Sequence, residues 1–229
     1  EQELKNRYES LENKYDKFLA GNYDYKANTY ETNKINLLSN PTSLYTKQPT
    51  VYYGLMYLAK NAKKEVKIHT PYIICNDYMY KELKNIKVPT TIMTNSAENN
   101  GNIFGAVDYL NHKKDIINTG VTIKEYEGGI SYHGKSMTID DDIAIVGSFN
   151  MDMRSAYIDT ELMLVINSKD INKQLKASME EYEKKAATVK NETEYSHIPE
   201  GMKMKELSDK KKNIKAWFGW AMNGLRFLF

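Results

Sequence analysis

Apolar residues recur along this chain in two rhythms. At three- and four-residue steps, Leu4, Tyr8, Leu11, Tyr15, Phe18 and Leu19 predict an amphipathic helix over residues 1–20, ended by Gly21-Asn22. The same period puts Val51, Leu55, Leu58, Ala59 and Ala62 on one helical face, with Thr50 as N-cap and Lys60, Lys63 and Lys64 at the close. A helix from Asn76-Asp77 to Ile86 and another over Phe104, Val107, Leu110 and Ile117, stopped by Gly120, follow from the same argument. Alternation or short apolar runs mark strands at 66–70, ended by Pro71, and at 90–94, 121–126 and 162–166. Residues 169–190 read as one long helix. The stretch from Tyr23 to Lys47, punctuated by Pro41 and Pro49, has weak periodicity and reads as a loop or wrapping segment. Its tyrosines are read as packing on the domain, because no basic residues interleave them as base-stacking would require.

Strands that alternate with helices predict an α/β fold: an α/β/α sandwich around a mixed, mostly parallel sheet, with extra N-terminal and C-terminal helices. The expected organisation is an N-terminal helix and wrapping segment at 1–49, a central domain at 50–190, and a linker with an amphipathic helix at 191–229. With 229 residues, 41% of them apolar, the chain is ample for one such core. A net charge of +2 gives no global pull toward nucleic acid. The single cysteine, Cys75, excludes an internal disulfide and reads as a buried structural thiol. No secretory signal and no apolar run long enough to span a bilayer is visible. The chain opens at Glu1 without a methionine and is read as a fragment of something longer.

The chemistry concentrates in residues 132–150. Alternation sends Tyr132, Gly134, Ser136 and Thr138 one way and His133, Lys135, Met137 and Ile139 the other, so an imidazole and a cation share one strand face. Asp140-Asp141-Asp142 makes a turn, Ile143-Ala144-Ile145-Val146 returns as an apolar strand, and Gly147-Ser148-Phe149-Asn150 leaves it beside the first strand. A histidine, a lysine and an asparagine at adjacent strand ends suit a phosphodiester: charge, amide donors and a nucleophile.

The spacing His133-x-Lys135-(x)4-Asp140 followed by Gly147-Ser148-x-Asn150 resembles the HKD motif of the phospholipase D superfamily. The continuation Met151-Asp152-Met153-Arg154-Ser155-Ala156-Tyr157-Ile158-Asp159-Thr160-Glu161 is similar to the second such motif of bacterial cardiolipin synthases, and Lys67-Ile68-His69-Thr70-Pro71-Tyr72 resembles the strand that opens their second repeat. The resemblance covers roughly residues 50–190. It implies a catalytic set of His133, Lys135, Asp140, Asn150 and Glu161. His133 attacks phosphorus or serves as acid/base for a partner histidine that does, while Lys135, Ser148 and Asn150 bind the phosphate oxygens. Glu161 is expected to hold the second imidazole nitrogen. Asp140, at a turn, is expected to tie strand ends together more than to touch substrate, and Asp152 and Arg154 to pair structurally. His112-Lys113-Lys114 imitates the motif but lacks its later residues, and His69 and His197 read as structural or surface histidines. No cluster has metal-ligand spacing, so no metal and no cofactor is expected.

Members with two motifs place both in one active site, whereas this chain carries one. The resemblance therefore implies a second HKD motif supplied by a missing N-terminal half or by a homodimer partner. The implied substrate is an anionic phospholipid such as phosphatidylglycerol, through phosphatidyl transfer as in cardiolipin synthase or hydrolysis as in phospholipase D. The alternatives are a dimeric single-motif endonuclease and an inactive membrane-bound half-domain. In the tail, Ile214, Trp217, Phe218, Ala221, Leu225 and Leu228 fall on one stripe with Lys210, Lys211, Lys212, Lys215 and Arg226 about it. With Trp217, Phe218 and Trp220 as membrane-facing residues, this reads as an interfacial anchor on a membrane surface, that of a bacterial cell; the competing reading is a terminal helix docked on its own domain.

Overall fold

The structure, a computed structural model, describes residues 2–14, 24–43, 45–218 and 224–228. It comprises two units, residues 1–31 and 32–229. In the first, α1 (Gln2–Lys14) carries the expected stripe, with Leu4, Tyr8 and Leu11 all exposed and Arg7 paired to Glu3 one turn away at 2.8 Å. Tyr15, Phe18 and Leu19 lie outside the described residues.

The second unit runs β1 (Lys34–Ser39), α2 (Thr50–Lys60), β2 (Val66–His69), β3 (Ile73–Ile74), α3 (Asp77–Lys84), β4 (Thr90–Asn95), α4 (Ile103–Ile117) and β5 (Thr122–Tyr126). It continues through β6 (Ser136–Ile139), β7 (Ile143–Gly147), β8 (Met151–Asp152), α5 (Met153–Tyr157), β9 (Leu162–Asn167), α6 (Lys169–Glu183), β10 (Ala186–Val189), β11 (Tyr195–His197), α7 (Asp209–Phe218) and a short 3-10 turn, Arg226–Leu228. Among the described residues, nine strands form one sheet in the order β1-β9-β7-β6-β2-β4-β5-β10-β11, and β3 pairs with β8 apart from it.

Helices cover both faces of this sheet. On one, α2, α3 and α4 press Tyr52, Leu55, Met56, Leu83 and Ile116 against Ile68, Ile92, Ile123, Met137, Ile139 and Ile145. Burying each such side chain stabilises by about 1.5–3 kcal/mol. On the other face lies α6. Its Asn172 donates to the Ile143 carbonyl at 2.7 Å, and its Glu183 meets Lys67 (3.6 Å), His69 (3.2 Å) and Lys124 (2.6 Å) from the strands beneath. Burial works to raise the Glu183 carboxyl, but bonds from His69 and Lys124 outweigh it and hold the group at about 2. Asn76 and Asn102 cap α3 and α4 by accepting from the Met79 amide (2.9 Å) and from Phe104 and Gly105 (3.0 and 3.1 Å).

The sheet corrects several expectations. It is mixed, yet only β2, β4 and β5 run parallel; every other neighbouring pair in it is antiparallel. Short turns such as the one joining β6 to β7 permit only antiparallel pairing. The sheet also extends beyond 50–190 on both sides. The expected wrapping segment contributes β1 as an edge strand on β9, and the long helix stops at Glu183 so that Ala186–Val189 can pair with β5. Thr50 is not the cap of α2. Pro49 stands at that position, and the open Val51 amide is capped from afar by Asn40 Oδ1 at 3.1 Å. The amide of buried Asn40 in turn donates to the carbonyls of Ser155 (2.8 Å) and Asp159 (3.2 Å), tying β1, α2 and α5 together.

Asp140 performs the structural task expected of it. Its backbone sits at φ 51°, in the left-handed region, and its carboxylate accepts from the amides of Lys63 (2.9 Å), Lys64 (2.7 Å) and Glu65 (3.2 Å). Burial raises this carboxyl, and the three amides more than reverse that, leaving it below its ordinary value. Asp140→Asn keeps the left-handed turn and loses the charge, which should cost about 1–3 kcal/mol at pH 7. A depressed carboxyl stabilises fully above the unfolded value of about 3.9 and loses its effect as pH falls through the folded value. Thermal unfolding by circular dichroism should therefore show a gap between wild type and variant at pH 7 that narrows as pH falls below about 4.

Candidate active site

The register of β2, β6 and β7 assembles the motif. His69 pairs with Ser136, and Ser136 pairs with Val146. Beyond His69 the ladder stops near Pro71, which has no N–H to offer. The regular strand accordingly begins at Ser136 rather than Tyr132, leaving 131–135 as an irregular approach. His133 and Lys135 nevertheless share a side, as alternation requires. The Lys135 ammonium lies 2.8 Å from His133 Nδ1 and 3.4 Å from Nε2, against the ring, and donates to the His133 carbonyl at 2.8 Å. Burial first, and the Lys135 charge second, hold the His133 pKa below its ordinary value. The ring is exposed and meets Tyr72 edge-on, centroids 6.0 Å apart. Burial likewise lowers the Lys135 ammonium, against the pull of the Glu161 and Asp152 carboxylates.

Across from them, Gly147 donates its amide to the Lys135 carbonyl at 3.2 Å. A Cβ on Gly147 would lie 2.1 Å from the Leu162 carbonyl oxygen, so only glycine lets β7 leave the sheet here. Ser148 follows, its amide on the same carbonyl at 2.9 Å. Asn150 is fixed by Ser155 Oγ, which accepts from its amide and its Nδ2 at 3.3 Å each, while the buried Asn150 Oδ1 has no hydrogen-bond partner among the described residues. A cavity of about 410 Å³ opens beside His133, lined by Tyr126, Ile130, Ser131, Tyr132, Gly134 and Tyr182. Among the described residues, no three His, Cys, Asp or Glu side chains gather as metal ligands would.

The role of Glu161 and the pairing of Asp152 with Arg154 differ from expectation. Glu161 does not hold the His133 ring; its buried carboxylate accepts from Ser148 Oγ and from Ser155 Oγ, the latter at 2.9 Å. It thereby braces Ser148 and, through Ser155, Asn150. Asp140, included in the implied catalytic set, stands at the opposite end of β6 from His133 with its carboxylate committed to backbone amides. Nor do Asp152 and Arg154 pair: Asp152 caps α5 by accepting from the Ser155 amide at 2.6 Å, and Arg154 meets Asp159 at 3.0 Å.

In the tail, two of the basic residues assigned to a membrane face are used internally. Lys211 Nζ donates to the carbonyls of Ala97 (2.8 Å) and Asn100 (2.9 Å), and Arg226 clasps Asp108 at 2.6 Å and the Cys75 carbonyl at 2.9 Å. Trp217 is 76% exposed. Trp220 and the Phe218 side chain lie outside the described residues. No helix among the described residues is long and apolar enough to cross a membrane.

Asp152 offers a test of this arrangement through pH. Burial pushes its carboxyl up to about 6, against the opposing bond from the Ser155 amide. A raised folded pKa means that stability falls as pH rises from about 4 to about 6, the unfolded chain giving up its proton first. Asp152→Asn keeps the cap without the buried charge. It should gain on the order of 2 kcal/mol over wild type at pH 8 and nothing at pH 4, as read by urea unfolding at both.

Comparison with known proteins agrees with the geometry. Residues 55–182 match the family model described as cardiolipin synthase, PLD-like domain. Cardiolipin synthase 1 of Staphylococcus epidermidis is 30% identical over 159 residues, 68% of this chain and 32% of that protein. An uncharacterized protein of Helicobacter pylori is 27% identical over 200 residues, 79% of this chain and 39% of that one. The chain thus spans about a third of the length of these relatives. Among solved structures, the phosphatidylserine synthase of Haemophilus influenzae aligns with a TM-score of 0.62 at 16% identity, covering 85% of this chain and 48% of that one. Nuc, a phospholipase D family member from Salmonella typhimurium, aligns at 0.54 and 16%, covering 68% and 97%. Both share the fold. A histidine and lysine at the mouth of β6, facing a glycine-serine-x-asparagine turn in a domain matched over more than half its length, place this chain in the phospholipase D superfamily, with the PLD-like domains of cardiolipin synthases.

Proposed function

We propose that this domain contributes His133 to phosphodiester transfer or hydrolysis on phospholipids through a phosphohistidine intermediate. The observation that carries the reading is the exposed His133 ring with the Lys135 ammonium 2.8 Å from its Nδ1, beside the Gly147 amide that bonds the Lys135 carbonyl and opens the turn to Asn150. Attack by a ring nitrogen forms an N–P bond as the P–O bond to the leaving alcohol breaks. A second histidine supplies that alcohol's proton and later removes one from the acceptor, water or a lipid hydroxyl. That residue comes from a second motif, in another part of a longer polypeptide or in another copy of this chain. Lys135 and Asn150 would take the non-bridging oxygens as their charge grows in the transition state. The tyrosine-lined cavity offers room for an uncharged part of the substrate beside the reacting phosphorus. Glu161, through Ser148 and Ser155, keeps the oxygen-binding side in place.

The test is incubation with phosphatidylglycerol vesicles, resolving lipid products and an acid-labile phosphatidyl adduct on the protein. His133→Asn should remove both, at least about 10²–10⁴-fold in rate, with the circular dichroism spectrum unchanged. Adduct formation that survives in the variant overturns the assignment, and cleavage of DNA without lipid turnover moves the reading to a nuclease. Because attack needs the neutral ring, the rate should fall as pH drops through the His133 midpoint, below about 6.5. Lys135→Met removes the cation that helps lower this midpoint, so the acid limb of its residual rate should move upward.

Membrane attachment through the tail is also a proposal, carried by exposed Trp217. Since Lys211 and Arg226 brace the domain, truncating the tail would confound folding with binding. Trp217→Ala is the cleaner variant. It should lower the fraction that sediments with anionic vesicles, and unchanged sedimentation would remove Trp217 from the interface.

A further inference from the structure

The segment that delivers His133 has no regular secondary structure, yet its approach is pinned from one side. Asn95, the last residue of β4, is 1% exposed and uses every hydrogen-bonding position of its side chain. Its Oδ1 accepts from the Tyr132 amide at 2.7 Å and from Asn99 Nδ2 at 3.2 Å. Its Nδ2 donates to the Tyr132 carbonyl at 2.9 Å and to the Pro71 carbonyl at 3.3 Å. The pair of bonds to Tyr132 reproduces, with a side-chain amide, the double exchange that two paired strand residues make.

The two backbone positions that Asn95 joins are those just before Tyr72 and His133, whose rings meet edge-on. One buried amide therefore sets the spacing of the two segments from which that contact is built. Neighbouring groups reinforce it. Asn99 Nδ2 also donates to the Ile130 carbonyl at 3.1 Å, and the Gly101 amide donates to Ser131 Oγ at 3.0 Å. From the opposite face, the Tyr132 hydroxyl meets Nδ1 of buried His69 at 3.3 Å. Tyr132 is held through its amide, its carbonyl and its hydroxyl, and the following residue inherits that position.

We infer that Asn95 is a positioning residue for His133, acting through the backbone of Tyr132 and supported by Asn99. The role deepens the proposed reaction, since a displaced nucleophile loses rate steeply with small errors of geometry. Its test needs no turnover, so it stands or falls apart from the phosphodiester reading.

The experiment uses the whole chain, whose four histidines give four resolvable imidazole signals in NMR titrations. In wild type, the Tyr132 amide should be protected from hydrogen exchange. Asn95→Ala should speed its exchange at least about tenfold. The same variant introduces no charge, so a change at His133 reports its position. Its midpoint should rise from the depressed value toward about 6.5, as burial and the approach of Lys135 are relaxed. Rapid Tyr132 exchange in wild type, or an unmoved His133 midpoint in folded Asn95→Ala, overturns the inference. A purely structural role would lower the melting temperature without moving that midpoint. If Asn95→Ala does not fold, Asn99→Ala carries the test: a smaller shift in the same direction supports the role, and no shift overturns it.

Discussion

The antiparallel alignment of β2, β6 and β7 is the constraint from which the site follows. His69 opposite Ser136 and Ser136 opposite Val146 fix where both motif segments leave the sheet. A slip of one residue would turn His133 and Lys135 to the other face and take Met137 and Ile139 out of the core. The same alignment demands a glycine at 147, because the β9 backbone at Leu162 occupies the space of its missing Cβ. Packing and chemistry are therefore specified by one set of contacts. The apolar side chains of β6 and β7 choose the register, and the register brings the polar ends together.

Around that mouth, polar groups are arranged in a supporting chain rather than aimed at one another. Glu161 accepts from two serine hydroxyls, Ser155 in turn accepts from Asn150, and Asp152 caps the short helix that carries Ser155. The acidic residues of the motif thus set the shape of the turn that carries Ser148 and Asn150. Placing buried carboxylates behind hydroxyls keeps negative charge away from the spot where a phosphate would sit and still lends field strength to Lys135.

Much of this was legible in the residues before any coordinates. The spacing from His133 to Asn150, the central strands and the helix start at Asn76-Asp77 are local patterns, and each appears where expected. What escaped depends on distant partners. The short run Ile35-Asn36-Leu37-Leu38 becomes a strand only because β9 offers it an edge, with Ile35 and Leu37 still exposed. Ala186-Ala187 could extend a helix by propensity, and pairing with Glu125 and Tyr126 overrides that preference. Asn95 and Asn99 fall between the strand expected at 90–94 and the helix over Phe104, and nothing local announces that their amides reach 37 and 31 residues along the chain. Lys211 and Arg226 match a basic amphipathic tail in composition, but which of the tail's cations face inward is a matter of tertiary contact.

Cys75 has a practical bearing beyond the fold. Its thiol is wholly enclosed, bonded to the Met151 carbonyl at 3.7 Å and pushed far up by burial, so it has almost no thiolate to offer a reagent. With no other sulfhydryl in the sequence, the native chain is a silent background for maleimide labelling. A fluorophore or spin probe attached at one introduced surface cysteine would report from that site alone, without first stripping a natural thiol from the core.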